Sequence, residues 1–145
     1  MANKGKYYES QFEEATIELL REAHWQYTLG DDIHRKYTDP LIEEDLRNFL
    51  AVQYKDKNLT TSEMDGIVAN LRNTGGQNDY YALRNAFLLY RDGYDFAYSD
   101  SRDNPFRMEY IDFEHPDHNI FRCVNQFVMG QGRENRRPDI LLFIN

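Results

Sequence analysis

The chain has a single cysteine, no long apolar run and fewer basic than acidic residues. Cys123 stands alone among 145 residues, so no intrachain disulfide forms and no cysteine zinc cluster can be built. No apolar stretch approaches the roughly 20 residues that a membrane-spanning helix needs. The opening MANKGKYYESQFEEA lacks the apolar core of a secretion signal and is too acidic for a transit peptide. The expectation is a cytoplasmic protein with no membrane partner. Seventeen Lys and Arg face 25 Asp and Glu, a formal net charge of −8. A protein that coats DNA by charge needs a basic surface, so this balance counts against a simple nucleic-acid binder. It counts less against a metal-dependent nuclease, where cations supply the positive charge and carboxylates hold them.

What is present suits one globular domain with one core. There is no internal repeat, low-complexity tract or long linker. Acids concentrate early, at Glu9, Glu13, Glu14, Glu18 and Glu22 and again at Glu43, Glu44 and Asp45. Arg122, Arg133, Arg136 and Arg137 gather late. The first half reads as helical. Phe12, Ile17, Leu20 and Ala23 recur near helical spacing between Tyr8 and about Trp25, with Ser10 and Glu13 as a capping box. A short strand follows from His24 to Leu29 and ends at Gly30. Asp39-Pro40 predicts a helix start, an N-cap acid before a first-turn proline, for a helix through Leu41, Ile42, Leu46, Phe49, Leu50 and Val52. In it Glu43-Glu44-Asp45 form a negative first turn that suits the helix dipole. Two more helices are expected at 60–73, capped by Thr60 or Ser62, and at 78–91, stopped by Gly93.

The second half reads as strands: Phe96 to Tyr98, Phe106 to Phe113, Ile120 to Met129, and Asp139 to Ile144 as a strand buried on both faces. Residues from Gly130 to the arginines read as a loop. The order gives an α/β (α+β-like) domain with a helical insertion at about 39–91.

Asp139 is the most informative position for chemistry. It follows Arg137-Pro138 and opens the apolar run ILLFI, so its carboxylate would project from the end of a rigid strand, a good support for a metal ligand. The competing reading is an aspartate satisfied by nearby backbone. Arg136 and Arg137 could contact phosphate, or pair with Glu134 and be solvated. His115-Pro116-Asp117-His118 reads as a solvated turn, Gln126 as a polar residue on a strand face, Cys123 as an inert core thiol, and Trp25 and the tyrosines as packing residues.

The segment NQFVMGQGRENRRPDILLFIN resembles the nuclease part of the type I restriction enzyme R subunit, a family of the PD-(D/E)xK nucleases. Asn125-Gln126-Phe127, Arg137-Pro138-Asp139 and Phe143-Ile144-Asn145 carry the likeness. Looser matches precede them in the right order: Glu9 to Glu13 leading to Leu20 and Trp25, the helix from Leu41, Leu89 to Gly93, and Ile111-Asp112-Phe113 before His118-Asn119. The resemblance implies a restriction-endonuclease-like mixed central sheet flanked by helices, so that 1–145 would be a partial PD-(D/E)xK domain. It implies magnesium held by Asp139 and by a first-helix glutamate, Glu13 or Glu9, with Glu13 preferred. It assigns catalysis to Asp139 and Glu13 and leaves Arg133, Arg136 and Arg137 to meet double-stranded DNA. ATP would serve the motor region of the full protein, and the modification and specificity subunits would be partners.

Members of the family continue past Asn145 into a turn and a strand with Glu-x-Lys. The chain is therefore expected to be C-terminally truncated before that strand, inactive alone, and open to self-association along the Asp139 to Ile144 edge. Two other readings stand beside this one. One is a non-catalytic fragment that docks the motor or modification subunits through 39–91. The other is a repair or homing nuclease of the same superfamily.

Overall fold

The computed structural model describes residues 8–131 and 133–145. They form a mixed α/β chain of four α-helices and three small sheets, grouped as two compact units. One comprises residues up to Pro40 together with Ile120–Ile144, the other Leu41–Asn119 together with Asn145.

The first unit holds helix α1 (Glu9–Glu22) and strand β1 (Gln26–Leu29). The helix starts earlier than the Ser10 box implies: the Gln11 side chain accepts the Tyr8 N–H at 3.3 Å, and Ser10 lies inside the first turn. Its half-buried face is Glu13, Ile17 and Leu20, four and three residues apart, while Phe12 stays 60% exposed. Phe12 therefore does not mark the packed side; Ile17 and Leu20 do, and Glu13 shares it.

The second unit opens with α2 (Glu43–Gln53), α3 (Thr61–Arg72) and α4 (Asp79–Asp92). The cap expected at Asp39-Pro40 does not form, and α2 begins three residues later, after Ile42. The Asp39 carbonyl instead accepts the Arg35 guanidinium at 2.8 Å, and the Asp39 N–H donates to the Lys36 carbonyl. This satisfies the Asp39 backbone in a turn rather than in a helix. Glu43, Glu44 and Asp45 do form the negative first turn. In α3 the cap is Thr60: its hydroxyl accepts the Glu63 N–H, and the Glu63 carboxylate accepts the Thr60 N–H. Asn78 caps α4, and Gly93 ends it at φ +63. Gly93 is required there, because a Cβ would lie 1.9 Å from the Met108 carbonyl oxygen.

Short antiparallel strands β2 (Tyr94–Phe96) and β3 (Phe106–Met108) complete this unit. The long strand expected to Phe113 ends at Met108. Beyond it the Asp112 carboxylate accepts the N–H groups of Glu114 and His115 and turns the chain. The core of the unit is Ile42, Leu46, Phe49, Leu50, Ile67, Val68, Leu71, Phe96, Tyr98, Met108 and Tyr110. The Tyr110 hydroxyl, inside it, donates to the Ile67 carbonyl at 2.7 Å.

The chain then returns to the first unit as β4 (Phe121–Asn125), β5 (Met129–Gln131), β6 (Glu134–Arg136) and β7 (Ile140–Ile144). Strand β4 pairs parallel with β1 and antiparallel with β7, giving a mixed sheet ordered β1-β4-β7. Parallel neighbours need a long crossover, and here that connection carries the whole second unit.

Two expectations are corrected in this unit. The Ile120 to Met129 strand breaks at Gln126, whose φ is +56. The stretch read as a loop pairs instead as the β5–β6 hairpin, with Gly132 outside the described residues. Strand β7 is an edge strand that alternates rather than one buried on both faces, and Leu142 is 53% exposed.

Candidate active site

The left-handed turn at Gln126 ends β4 and aims two successive amides at one carboxylate. Asn125 Nδ2 donates to Glu13 Oε1 at 3.0 Å, and Gln126 Nε2 donates to the same oxygen at 3.1 Å. Asn125 is oriented in turn by Tyr27 of β1, whose hydroxyl donates to Asn125 Oδ1 at 2.8 Å. Gln126 is held from behind by Gly30. A Cβ on Gly30 would meet the Gln126 carbonyl oxygen at 2.3 Å, so only glycine lets the two backbones come this close. The Gln126 N–H donates to the Asp139 carbonyl at 3.1 Å, which fixes the start of β7 beside this turn.

The structure thus gathers Glu13, Asn125, Gln126 and the Asp139 backbone at one end of the mixed sheet. The Asp139 side chain is exposed and has no hydrogen-bond or ion-pair partner among the described residues. Glu9 is exposed on the first turn of α1 and likewise has no polar partner among them. A cleft of about 460 Å³ lies along α1, lined by Glu13, Glu14, Glu18, Arg21, Tyr27 and Asn125 among others. Asp139 is not on its wall.

Carboxylate oxygens are the ligands a hard divalent cation such as magnesium prefers. One oxygen of Glu13 is not engaged by the amides and the Asp139 carboxylate is unengaged, but among the described residues neither they nor Glu9 belong to a group of three ligating side chains close enough to hold a metal ion.

The late arginines separate into two groups. Arg122 is pinned within the sheet, donating to Thr28 Oγ1 at 2.6 Å and to Gln26 Oε1 at 3.1 Å. Arg133, Arg136 and Arg137 are exposed and form no ion pair among the described residues, so the pairing with Glu134 does not occur. Arg136 and Glu134 line a separate recess of about 450 Å³ with Tyr37 and Thr38.

A less visible element supports this end of the unit. Arg35 stacks over the buried Phe127 ring, 3.4 Å from its centroid, and donates to the carbonyls of Val128 and Asp39. Burial pulls its guanidinium below the usual arginine range. Nothing in the sequence marks Arg35, because Phe127 and Val128, which it covers, lie more than ninety residues away. Gln126 was visible as a polar residue, but its role requires the broken strand, which no local pattern announces. Cys123 is fully buried, and desolvation raises its thiol pKa, as an inert core residue requires.

Neither a curated protein nor a solved structure matches the chain. The family described as the type I restriction enzyme R protein N terminus matches residues 6–145, essentially the whole chain. With this match over a mixed α/β fold, the chain belongs to the family of type I restriction enzyme R protein N termini.

Proposed function

We propose that this chain supplies part of the magnesium-dependent endonuclease site of a type I restriction enzyme R subunit, acting on double-stranded DNA in the cytoplasm. Asp139 and Glu13 are the residues that would hold the metal, with Glu9 as a weaker candidate. When bound, magnesium would lower the pKa of a water and offset charge on the phosphate.

The chain's own residues do the positioning. Asn125 and Gln126 fix the Glu13 carboxylate by charge-assisted hydrogen bonds, and Tyr27 fixes Asn125. Arg133, Arg136 and Arg137 would meet DNA phosphates from the β5–β6 hairpin and the segment after it. ATP-driven movement of DNA belongs to the motor region of the full protein, and sequence recognition to the specificity subunit alongside the modification subunit. In this reading the helical segment 39–91 is an insertion in the nuclease domain.

The observation that supports the reading most is the Glu13 carboxylate held by two amides at the sheet end where the Asp139 backbone, just before β7, meets Gln126. Magnesium calorimetry and plasmid cleavage with the full R protein test it, wild type against Asp139→Ala. The expected result is loss of magnesium binding at this site and a fall in cleavage of about 100-fold or more, the scale on which oriented catalytic groups act. Equal binding in both proteins removes Asp139 from the site.

One observation favours a docking role for the helical segment. Tyr80, Leu83 and Phe87 lie on α4 at 69, 73 and 61% exposure, three and four residues apart, which makes an apolar stripe. Such a stripe suits a contact with the motor or modification subunits. The open β7 edge similarly suits pairing with another chain; a strictly monomeric elution of residues 1–145 in gel filtration would remove that idea.

A further inference from the structure

A cluster of ligating groups lies in the unit Leu41–Asn119, on the turn after β3. Asp112 is 6% exposed, and its carboxylate is already well anchored. Its Oδ1 accepts the N–H groups of Glu114 and His115 at 3.0 and 2.8 Å, and its Oδ2 accepts Gln53 Nε2 at 2.9 Å. Asn119 braces the same loop: its side chain accepts the Asp112 N–H and donates to the carbonyls of Asp112 and Pro116.

Neither imidazole is needed to satisfy Asp112, yet both turn toward it. His118 Nδ1 lies 3.0 Å and His115 Nδ1 3.6 Å from Asp112 Oδ2. The single 3₁₀ turn Pro116–His118 explains the pairing, because side chains three residues apart eclipse in that geometry. The two rings stack with centroids 4.9 Å apart and planes 19° apart, and their side chains are 61 and 50% exposed. The ligand atoms of Asp112, His115 and His118 all lie within 4.8 Å of one another. The turn that reads from sequence as simply solvated thus excludes Asp117 from the cluster and brings in Asp112 from outside it.

We propose that Asp112, His115 and His118 form a binding site for a divalent transition metal, Zn²⁺ in the first instance, with a coordination position left open to solvent. Two imidazole nitrogens and one carboxylate oxygen are the ligand types that zinc takes, and three protein ligands leave the fourth tetrahedral position to water. Bonds of about 2.0 Å at tetrahedral angles separate neighbouring ligand atoms by about 3.3 Å, and the two Nδ1-to-Oδ2 distances lie on either side of that value. In the metal-free chain an Nδ1–H proton can fill the space between each ring and the Asp112 oxygen, and a bound metal would take the place of those protons. An imidazole lone pair facing a carboxylate is repelled unless a proton or a metal stands between them. The hydrogen bonds from Gln53 and from the backbone to Asp112 act behind the ligand and hold it in place. The nitrogen donors separate this site from the carboxylates Glu13 and Asp139 proposed to hold magnesium, which prefers oxygen ligands.

Calorimetry on the metal-free 145-residue chain with Zn²⁺, and visible absorption with Co²⁺ as a spectroscopic substitute, test the proposal. The expected result is one Zn²⁺ per chain, not displaced by excess Mg²⁺, and a Co²⁺ spectrum of low coordination number. His115→Ala/His118→Ala, whose two side chains are largely exposed, should fold as wild type by circular dichroism and bind Zn²⁺ at least about 100-fold more weakly, beyond what loss of a group behind a ligand costs. Gln53→Leu, which leaves the three ligands intact, should weaken binding by about 10- to 100-fold. Wild-type affinity in the double histidine variant, or no Zn²⁺ uptake by the wild type, overturns the site.

Discussion

In the unit Leu41–Asn119, Leu50, Ile67, Met108 and Tyr110 are fully shielded from solvent, whereas helix α1 of the other unit buries none of its residues. Among the described residues the sheet unit reaches full burial only at Cys123, Val124 and Phe127, on or just after β4. Its order comes instead from hydrogen bonds: the β1-β4-β7 ladder, the amides that hold Glu13, and the Arg35 guanidinium on Phe127 and the nearby carbonyls. The difference teaches where a site can be built. A carboxylate that is to meet a cation cannot be sunk among aliphatic side chains without a large desolvation cost. The sheet unit keeps Glu13 half-buried and fixes it through directional bonds from Asn125 and Gln126, while the Asp139 side chain is exposed. The helical unit packs apolar side chains together and admits Asp45, Glu63 and Asp112 as buried acids, with Glu63 paired to Arg102.

The sharpest way to break this comparison is a cavity. Leu50→Ala removes a side chain with 0% exposure from the helical core and should cost about 2–5 kcal/mol, read as a lowered urea midpoint at unchanged slope. A loss under about 1 kcal/mol would mean that this core is no better packed than the surface of α1.

Acid provides the next largest effect. The Arg102 guanidinium beside Glu63, with the Thr60 N–H, holds the Glu63 carboxyl well below its ordinary 4.5; Nη2 of Arg102 lies 2.5 Å from it. A carboxyl depressed in the folded state contributes stability that is complete above its unfolded pKa and is lost as pH falls through the folded one. The α3 cap should therefore weaken progressively below about pH 4.5. Asp112, lowered to about 2 mainly by the His115 N–H, should add to the loss at the acid end of the range. Glu63→Gln keeps an acceptor for the Thr60 N–H but removes the charge. Its unfolding midpoint should be lower than wild type at pH 7 and fall less steeply between pH 5 and 3 in circular-dichroism titrations. Parallel curves for the two proteins would show that the Glu63–Arg102 pair carries none of the pH dependence.

The same contrast governs how much the sequence reveals. Helices α3 and α4 are legible because their ends are local chemistry: Thr60 with Glu63, Asn78 at the start and Gly93 at the stop. The start of α2 is misread because Asp39 and Pro40 have the right local chemistry, but Arg35, four residues upstream and held in place by the distant Phe127 and Val128, claims the Asp39 carbonyl. The β4 break at Gln126 is hidden, since a non-glycine residue at positive φ leaves no compositional mark. Of the candidate sites, Asp139 stands out through its place before an apolar run, and Glu13 by its spacing from Ile17 and Leu20 rather than from Phe12. The amide pair that orients Glu13, and the approach of two histidines to Asp112, depend on turns that only the folded chain displays.

The smallest expected effect concerns the face of α1 turned away from Glu13. Leu19 is 65% exposed, and Gln has nearly the same helix propensity as Leu, so Leu19→Gln changes exposed apolar area and little else. The expected change in unfolding free energy is within about 0.5 kcal/mol. Burying a leucine fully is worth about 1.5–3 kcal/mol, so a loss of that size would mean that the outer face of α1 is covered in solution. Repeating the measurement at several protein concentrations then identifies the cover. A second copy of the chain makes the loss grow with concentration, because association adds stability by mass action. A loss independent of concentration places the cover within the chain itself, and the sheet unit would then have a larger apolar core than Cys123, Val124 and Phe127 provide.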